Sequence, residues 1–199
     1  DVIKATAFFV QNAAEIEPKG VELDIKWAPV EGLTLSLAGR YLKAEYADFP
    51  NAPCWTTSGS EPLDRGNCVN RGAADQSRDA KGDTNAFSPE LTYNFNVDYR
   101  MPLGASLEAR RVLNINYSDE FFVASDLDPI YAQQDSYTKY DVRLSIGSID
   151  GMWDVALIGT NLSDELISGN SNDQPLVTGN AFASTDRLRS YALQATYRF

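Results

Sequence analysis

The sequence contains no histidine. That absence removes the imidazole base of Ser-His and Asp-His catalytic designs. Carboxylates are plentiful, but abundance supplies no paired geometry for a carboxylate hydrolase. No phosphate-binding glycine loop is present, so no catalytic residue and no enzyme activity is expected. Nor does any apolar run approach the ~18 residues of a spanning helix, which excludes a helical membrane protein. The start at Asp1 shows no basic or apolar leader, so a signal peptide is expected to be removed or to lie upstream. Positive charge is scarce: Lys and Arg total 17 against 28 Asp and Glu, for a net charge of −11. A nucleic-acid partner, which requires a basic face, is therefore not expected.

Cysteine is almost absent as well. Cys54 and Cys68 are the two in the chain, both in one segment rich in Gly, Pro, Ser and Asn. They read as a disulfide closing a surface loop in an oxidising compartment such as the periplasm. A loop of that size contributes roughly 3 kcal/mol, mainly locally. Two free cytosolic thiols are the alternative. A metal site would need more ligands nearby, so neither a metal nor another cofactor is expected.

Aromatic residues are abundant, with ten Tyr and nine Phe. Many fall in alternating stretches. From Arg187 to Phe199, the residues Tyr191, Leu193, Ala195, Tyr197 and Phe199 oppose Ser190, Ala192, Gln194, Thr196 and Arg198. Period two with one apolar and one polar face is the pattern of a strand between two different surroundings. Lipid outside and a wet lumen inside would supply them, with aromatics at the interface. Similar alternation runs from Gly20 to Ala28, from Leu33 towards Phe49, from Phe87 to Met101, from Ala105 to Tyr117, from Tyr140 to Ile146 and from Met152 to Leu162. Val2 to Val10 is a blurred eighth candidate. Arg111 interrupts the apolar face of its strand, and a bulge at Arg110-Arg111 would restore the phase.

The connections are sorted by length. Short turns at 29–32, 102–104 and 150–151 alternate with polar segments at 50–86, 119–135 and 163–186 that are structureless by pattern. Short turns at one end and long loops at the other match a bacterial outer-membrane barrel. The expected fold class is therefore an all-β antiparallel transmembrane barrel, with its C-terminus on the short-turn, periplasmic side. A complete eight-stranded barrel with a structural or adhesive role is one alternative. A secreted β-sandwich that binds sugars is another.

Four phrases carry a family resemblance. Asn12-Ala13-Ala14-Glu15 followed by Lys19-Gly20-Val21-Glu22-Leu23 is the first. Leu33-Thr34-Leu35 to Tyr41, then Ala44-Glu45-Tyr46-Ala47-Asp48-Phe49, is the second. Asn161-Leu162-Ser163-Asp164-Glu165 and the terminal Tyr197-Arg198-Phe199 complete the set. In this order they resemble TonB-dependent outer-membrane receptors over nearly the whole chain. The resemblance implies that residues 1–199 form the C-terminal portion, the last eight strands, of a 22-stranded barrel. The plug domain and TonB-contacting segment are not recognisable in this sequence. The implied function is import of a scarce, bulky nutrient, most often a ferric siderophore. The implied partners are the plug and the remaining strands, TonB through the plug, outer-membrane lipid and lipopolysaccharide, and the barrel-assembly machinery. That machinery would read Tyr197 and Phe199.

Candidate site residues follow from this arrangement. Trp55, Arg65, Arg71 and Arg78 in the loop 50–86 suit an anionic chelate. Glu90, Asn94, Asn96, Asp98, Arg100, Glu108, Arg110, Asp141 and Arg143 are expected to line the lumen, as a permeation path, as plug support or as a plain solvated wall.

Overall fold

A computed structural model describes residues 15–54, 69–70, 76–173 and 180–199. The strands in chain order are β1 (Glu15–Val30), β2 (Leu33–Asp48), β3 (Ala52–Pro53), β4 (Val69–Asn70), β5 (Gln76–Arg78), β6 (Leu91–Leu103) and β7 (Leu107–Ser118). They are followed by β8 (Phe121–Phe122), β9 (Gln133–Gln134), β10 (Tyr137–Ser148), β11 (Trp153–Thr160), β12 (Ser168–Asp173), β13 (Ala181–Thr185) and β14 (Ser190–Tyr197). Seven of them form one antiparallel sheet in the order β1-β2-β6-β7-β10-β11-β14. Every neighbour in that sheet is also the next long strand in the chain, so the sheet is an up-and-down meander. Among the described residues it is open, with β1 and β14 at its two edges. The eighth expected strand, Val2 to Val10, lies outside the described residues.

Alternation decides the faces. The register places Ile25, Leu37, Phe95, Ile115 and Tyr140 in one cross-strand row, and Leu144, Leu157 and Leu193 in another. The opposite face carries Asp24, Ser36, Asn96, Asn114, Asp141 and Arg143. Among the described residues nothing packs on the apolar face: Trp27, Ile146, Leu157 and Leu193 are all exposed. Exposed apolar surface this continuous marks a contact with membrane or with another protein surface.

Three short connections, at 31–32, 104–106 and 149–152, lie at the sheet end where the chain finishes. Backbone bonds join them to the neighbouring strands. Arg100 N–H donates to the Gly32 carbonyl at 2.9 Å, Ile149 N–H to Ser106 at 3.0 Å and Arg198 N–H to Met152 at 2.7 Å. The long connections gather at the other end. They are not structureless, as the pattern suggested. Strands β3, β5 and β4 form a small sheet within 50–86, β8 pairs with β9 within 119–135, and β12 pairs with β13 within 163–186. Their strands are too short, or too polar on both faces, to announce themselves by periodicity.

The buried core lies among these connections. Tyr46 and Phe49 at the top of β2 pack with Ala52, Ala80, Ala86 and Leu127, and Phe122 joins them. The Tyr46 and Phe49 rings meet at 5.0 Å. Two further sequence expectations are corrected. No bulge exists at Arg110-Arg111, since β7 keeps an unbroken register with β6 and β10. Arg111 therefore belongs to the apolar face. The first described strand also starts at Glu15 rather than Gly20, because β2 runs on to Asp48 and pairs with it along its length, with register shifts at Glu15/Ile16 and Trp27/Val30.

Candidate functional site

The polar face is held by side-chain bonds that run across the strands. Asn94 and Asn116 are register partners, and their amides bond at 2.5 Å. Asn96 and Asn114, one step along, bond at 2.6 Å. Towards the short turns, Arg110 grips Asp98 with two bonds, Nε to Oδ1 at 2.8 Å and Nη2 to Oδ2 at 2.5 Å. This bidentate form fixes orientation as well as charge. Arg143 reaches over β11, donating to Asp154 and to Gln194 at 2.7 Å each. Ala156, which lies between Ser145 and Gln194 in the register, is fully buried there.

Two depressions open on this face. One, of about 840 Å³, is lined by Asp24, Arg40, Thr92, Asn94, Asn116 and Tyr137, among others, near the long connections. The other, of about 400 Å³, is bounded by Arg100, Glu108, Arg110, Arg143, Asp154 and Arg198 near the short turns. Arg110 and Arg143 are already paired there with Asp98 and Asp154, which leaves Arg100 and Arg198 facing Glu108.

The expected lumen residues divide accordingly. Asn94, Asn96, Asp98, Arg100, Glu108, Arg110, Asp141 and Arg143 share the polar face. Asp141 accepts the Asn161 backbone N–H at 2.8 Å and so anchors the connection after β11. Glu90 stands apart: it precedes β6, and its carboxylate accepts the Tyr41 hydroxyl at 3.1 Å. Sequence reasoning did not single out Asn114, Asn116, Asp154 or Gln194. The alternation of β7 already placed the two asparagines beside Asn94 and Asn96; the supposed bulge obscured their phase.

At the loop end, Arg78 is only 4% exposed and ion-paired with Asp83. It holds its own loop together. Trp55, Arg65 and Arg71 lie outside the described residues, as does Cys68. Burial raises the Tyr46 phenol above its ordinary pKa, partly offset by the nearby Arg78 charge. In the turn before β11, hydrogen bonds from Ser148 and the Met152 N–H hold the Asp150 carboxyl below its ordinary value.

The connections also bind one another. Phe87 N–H donates to Phe122, and Ser171 N–H to Val123. Ser168 N–H donates to the Gln134 side chain at 2.7 Å. The three long connections thus form one joined layer over one end of the sheet.

No family model matches the sequence, and no curated protein matches it. Solved structures do match its fold. The ferric yersiniabactin uptake receptor FyuA from Yersinia pestis aligns with a TM-score of 0.63 and 14% identity, over 90% of this chain and 23% of its own. The siderophore receptor PiuA from Acinetobacter baumannii gives 0.62 and 16%, over 90% and 21%. The ferric preacinetobactin receptor BauA from the same organism gives 0.57 and 16%, over 92% and 22%. The chain therefore has the fold of one part of such receptors and spans about a fifth of their length.

Proposed function

We propose that this chain is the C-terminal wall of the β-barrel of a TonB-dependent receptor in a bacterial outer membrane. Its cargo would be a scarce, bulky nutrient, with a ferric siderophore the first candidate. One observation carries the reading: an open seven-stranded meander with an exposed apolar face, a bonded polar face and connections sorted by length. An unpaired strand edge cannot stand in lipid, so each edge of the described sheet, β1 and β14, requires a further strand. The fold shared with about a fifth of each receptor fits a wall completed by strands from the rest of the protein.

In this reading the apolar face meets lipid and lipopolysaccharide, and the short turns with the C-terminus face the periplasm. The polar face looks onto a plug domain, through which TonB would act. Arg100 and Arg198, which have no ion pair among the described residues, would meet acidic groups of that plug. Ligand would arrive at the joined loop layer, where Trp55, Arg65 and Arg71 are the proposed contacts. Cys54 and Cys68 would staple that loop. Deleting the gene and measuring uptake of ferric chelates under iron limitation tests the function. Loss of uptake that the intact gene restores supports it; unchanged uptake of every chelate tried would remove the siderophore reading. Sequencing the intact parent tests the architecture, which a mature protein of only about 200 residues would overturn.

A further inference from the structure

Arg111 is the residue that the alternating pattern could not absorb. The unbroken register puts it on the apolar face, opposite Tyr99 on one side and Leu144 on the other. It is exposed, and among the described residues it has no ion pair or hydrogen bond. None of its register partners, nor the residues two positions along those strands on the same face, is acidic. Those residues are Val97, Tyr99, Met101, Ala109, Leu113, Val142, Leu144 and Ile146. Beside it lies a groove of about 490 Å³, lined almost wholly by apolar atoms of Leu33, Val97, Leu113, Val142 and Leu144, with Tyr99 and Arg111 at its edge.

A cation on a face that meets hydrocarbon is costly unless something compensates it. Arg111 lies four residues above Leu107, where β7 begins at the short turn. That is roughly 14 Å along the strand, and less in height once the strand tilts. Its long side chain can therefore reach down to the headgroup layer of the leaflet on the short-turn side. A guanidinium matches a phosphate with two parallel bonds. No register neighbour of Arg111 on this face offers a carboxylate to the ammonium of a zwitterionic lipid, so the charge beside the guanidinium favours a lipid with net negative charge, although Glu31 stands in the turn between the lining residues Val30 and Leu33. The groove next to the guanidinium has the apolar lining that an acyl chain requires.

We propose that Arg111 and this groove form a binding site for one anionic glycerophospholipid of the periplasmic leaflet. The phosphate sits on the Arg111 guanidinium and an acyl chain lies along Val97, Leu113 and Val142. This inference rests on the membrane reading above.

The test uses the full-length receptor, purified in detergent and titrated with phosphatidylglycerol or phosphatidylethanolamine, with bound lipid counted by native mass spectrometry. The intact protein is expected to retain phosphatidylglycerol in preference. Arg111→Gln should bind it about tenfold more weakly, the loss expected for one charge-assisted contact, and Arg111→Lys should fall between. Phosphatidylethanolamine binding should hardly change. Because Arg111 is exposed and packs no core, Arg111→Gln should fold; in bilayers of phosphatidylethanolamine alone it should be at least as heat-resistant as the intact protein. Equal phosphatidylglycerol retention by the intact protein and Arg111→Gln would overturn the site while leaving the membrane reading in place. A protein that stays in solution without detergent would overturn the membrane reading itself.

Discussion

Arg143 on β10 is bonded to Gln194 on β14, two strands away, across the intervening β11. Its second nitrogen holds Asp154 on β11. One side chain thus ties together the last three strands of the sheet, where backbone bonds join each strand only to its neighbour.

This crossing gives the first prediction. Arg143 and Asp154 are each about a third exposed on the polar face, so their pair contributes little, up to about 1 kcal/mol. Arg143→Ala should lower stability by about that amount, with the Gln194 bond adding to it. Asp154→Ala should cost less, and the double variant less than the sum. Chemical unfolding followed by tryptophan fluorescence checks the cycle; strict additivity would show that the two side chains act independently.

Two turn glycines should respond unequally. Gly32 has φ of 78° and Gly104 has φ of 79°. Alanine at either pays about 1–2 kcal/mol for the left-handed backbone. At Gly32 a Cβ would also press on the Arg100 carbonyl oxygen, whereas nothing lies near Gly104. Gly32→Ala should therefore be clearly the more damaging, and may be compared with Gly104→Ala in the same unfolding assay.

Tyr46 should make the loop layer sensitive to alkali. Its phenol is buried and its pKa raised. Above the unfolded value near pH 10, the unfolded chain loses this proton before the folded one does, so stability falls as pH rises. Below pH 9 the phenol is neutral in both states and contributes no pH dependence. Hydrogen exchange at residues 80–86 and 122–127 should quicken above pH 10 in the intact protein. In Tyr46→Phe that quickening should be smaller.

The cysteine pair gives a local prediction. A non-reducing digest should contain a Cys54–Cys68 linked peptide. Reduction should increase protease cutting within 50–86 while leaving the sheet intact, because a loop staple acts mainly on its own segment. Equal cutting with and without reductant would count against the staple.

How much of this was legible in the sequence depends on who the neighbours are. The seven sheet strands were readable because each has one apolar and one polar environment, and period two reports that directly. Arg111 was misread because a residue that breaks alternation looks like a shift of phase, although a lipid-facing wall can carry an arginine near its edge. The loop layer was not readable at all. Its core joins Tyr46 and Phe49, at the end of the alternation that starts at Leu33, to Ala80, Ala86 and Leu127, which follow no period. Likewise the reach of Arg143 to Gln194 is set by sheet order, and no local pattern contains it.

The last prediction concerns the end of β14. Tyr197 pairs with Trp153, while Phe199 lies beyond the strand and is fully exposed on the short-turn side. It packs no core, so its removal should cost the folded sheet almost nothing. Its exposed ring is instead free to be recognised before the sheet closes, which is the role the family resemblance implies for the barrel-assembly machinery. Deleting Phe199 should therefore lower the amount of protein inserted in the outer membrane several-fold. On the proposed function, the fraction that does insert should bind ligand as the intact protein does. Heat-modifiable migration on gels measures insertion, and ligand titration on the inserted fraction measures binding. Normal insertion with lost binding would assign Phe199 to the transport path and not to assembly.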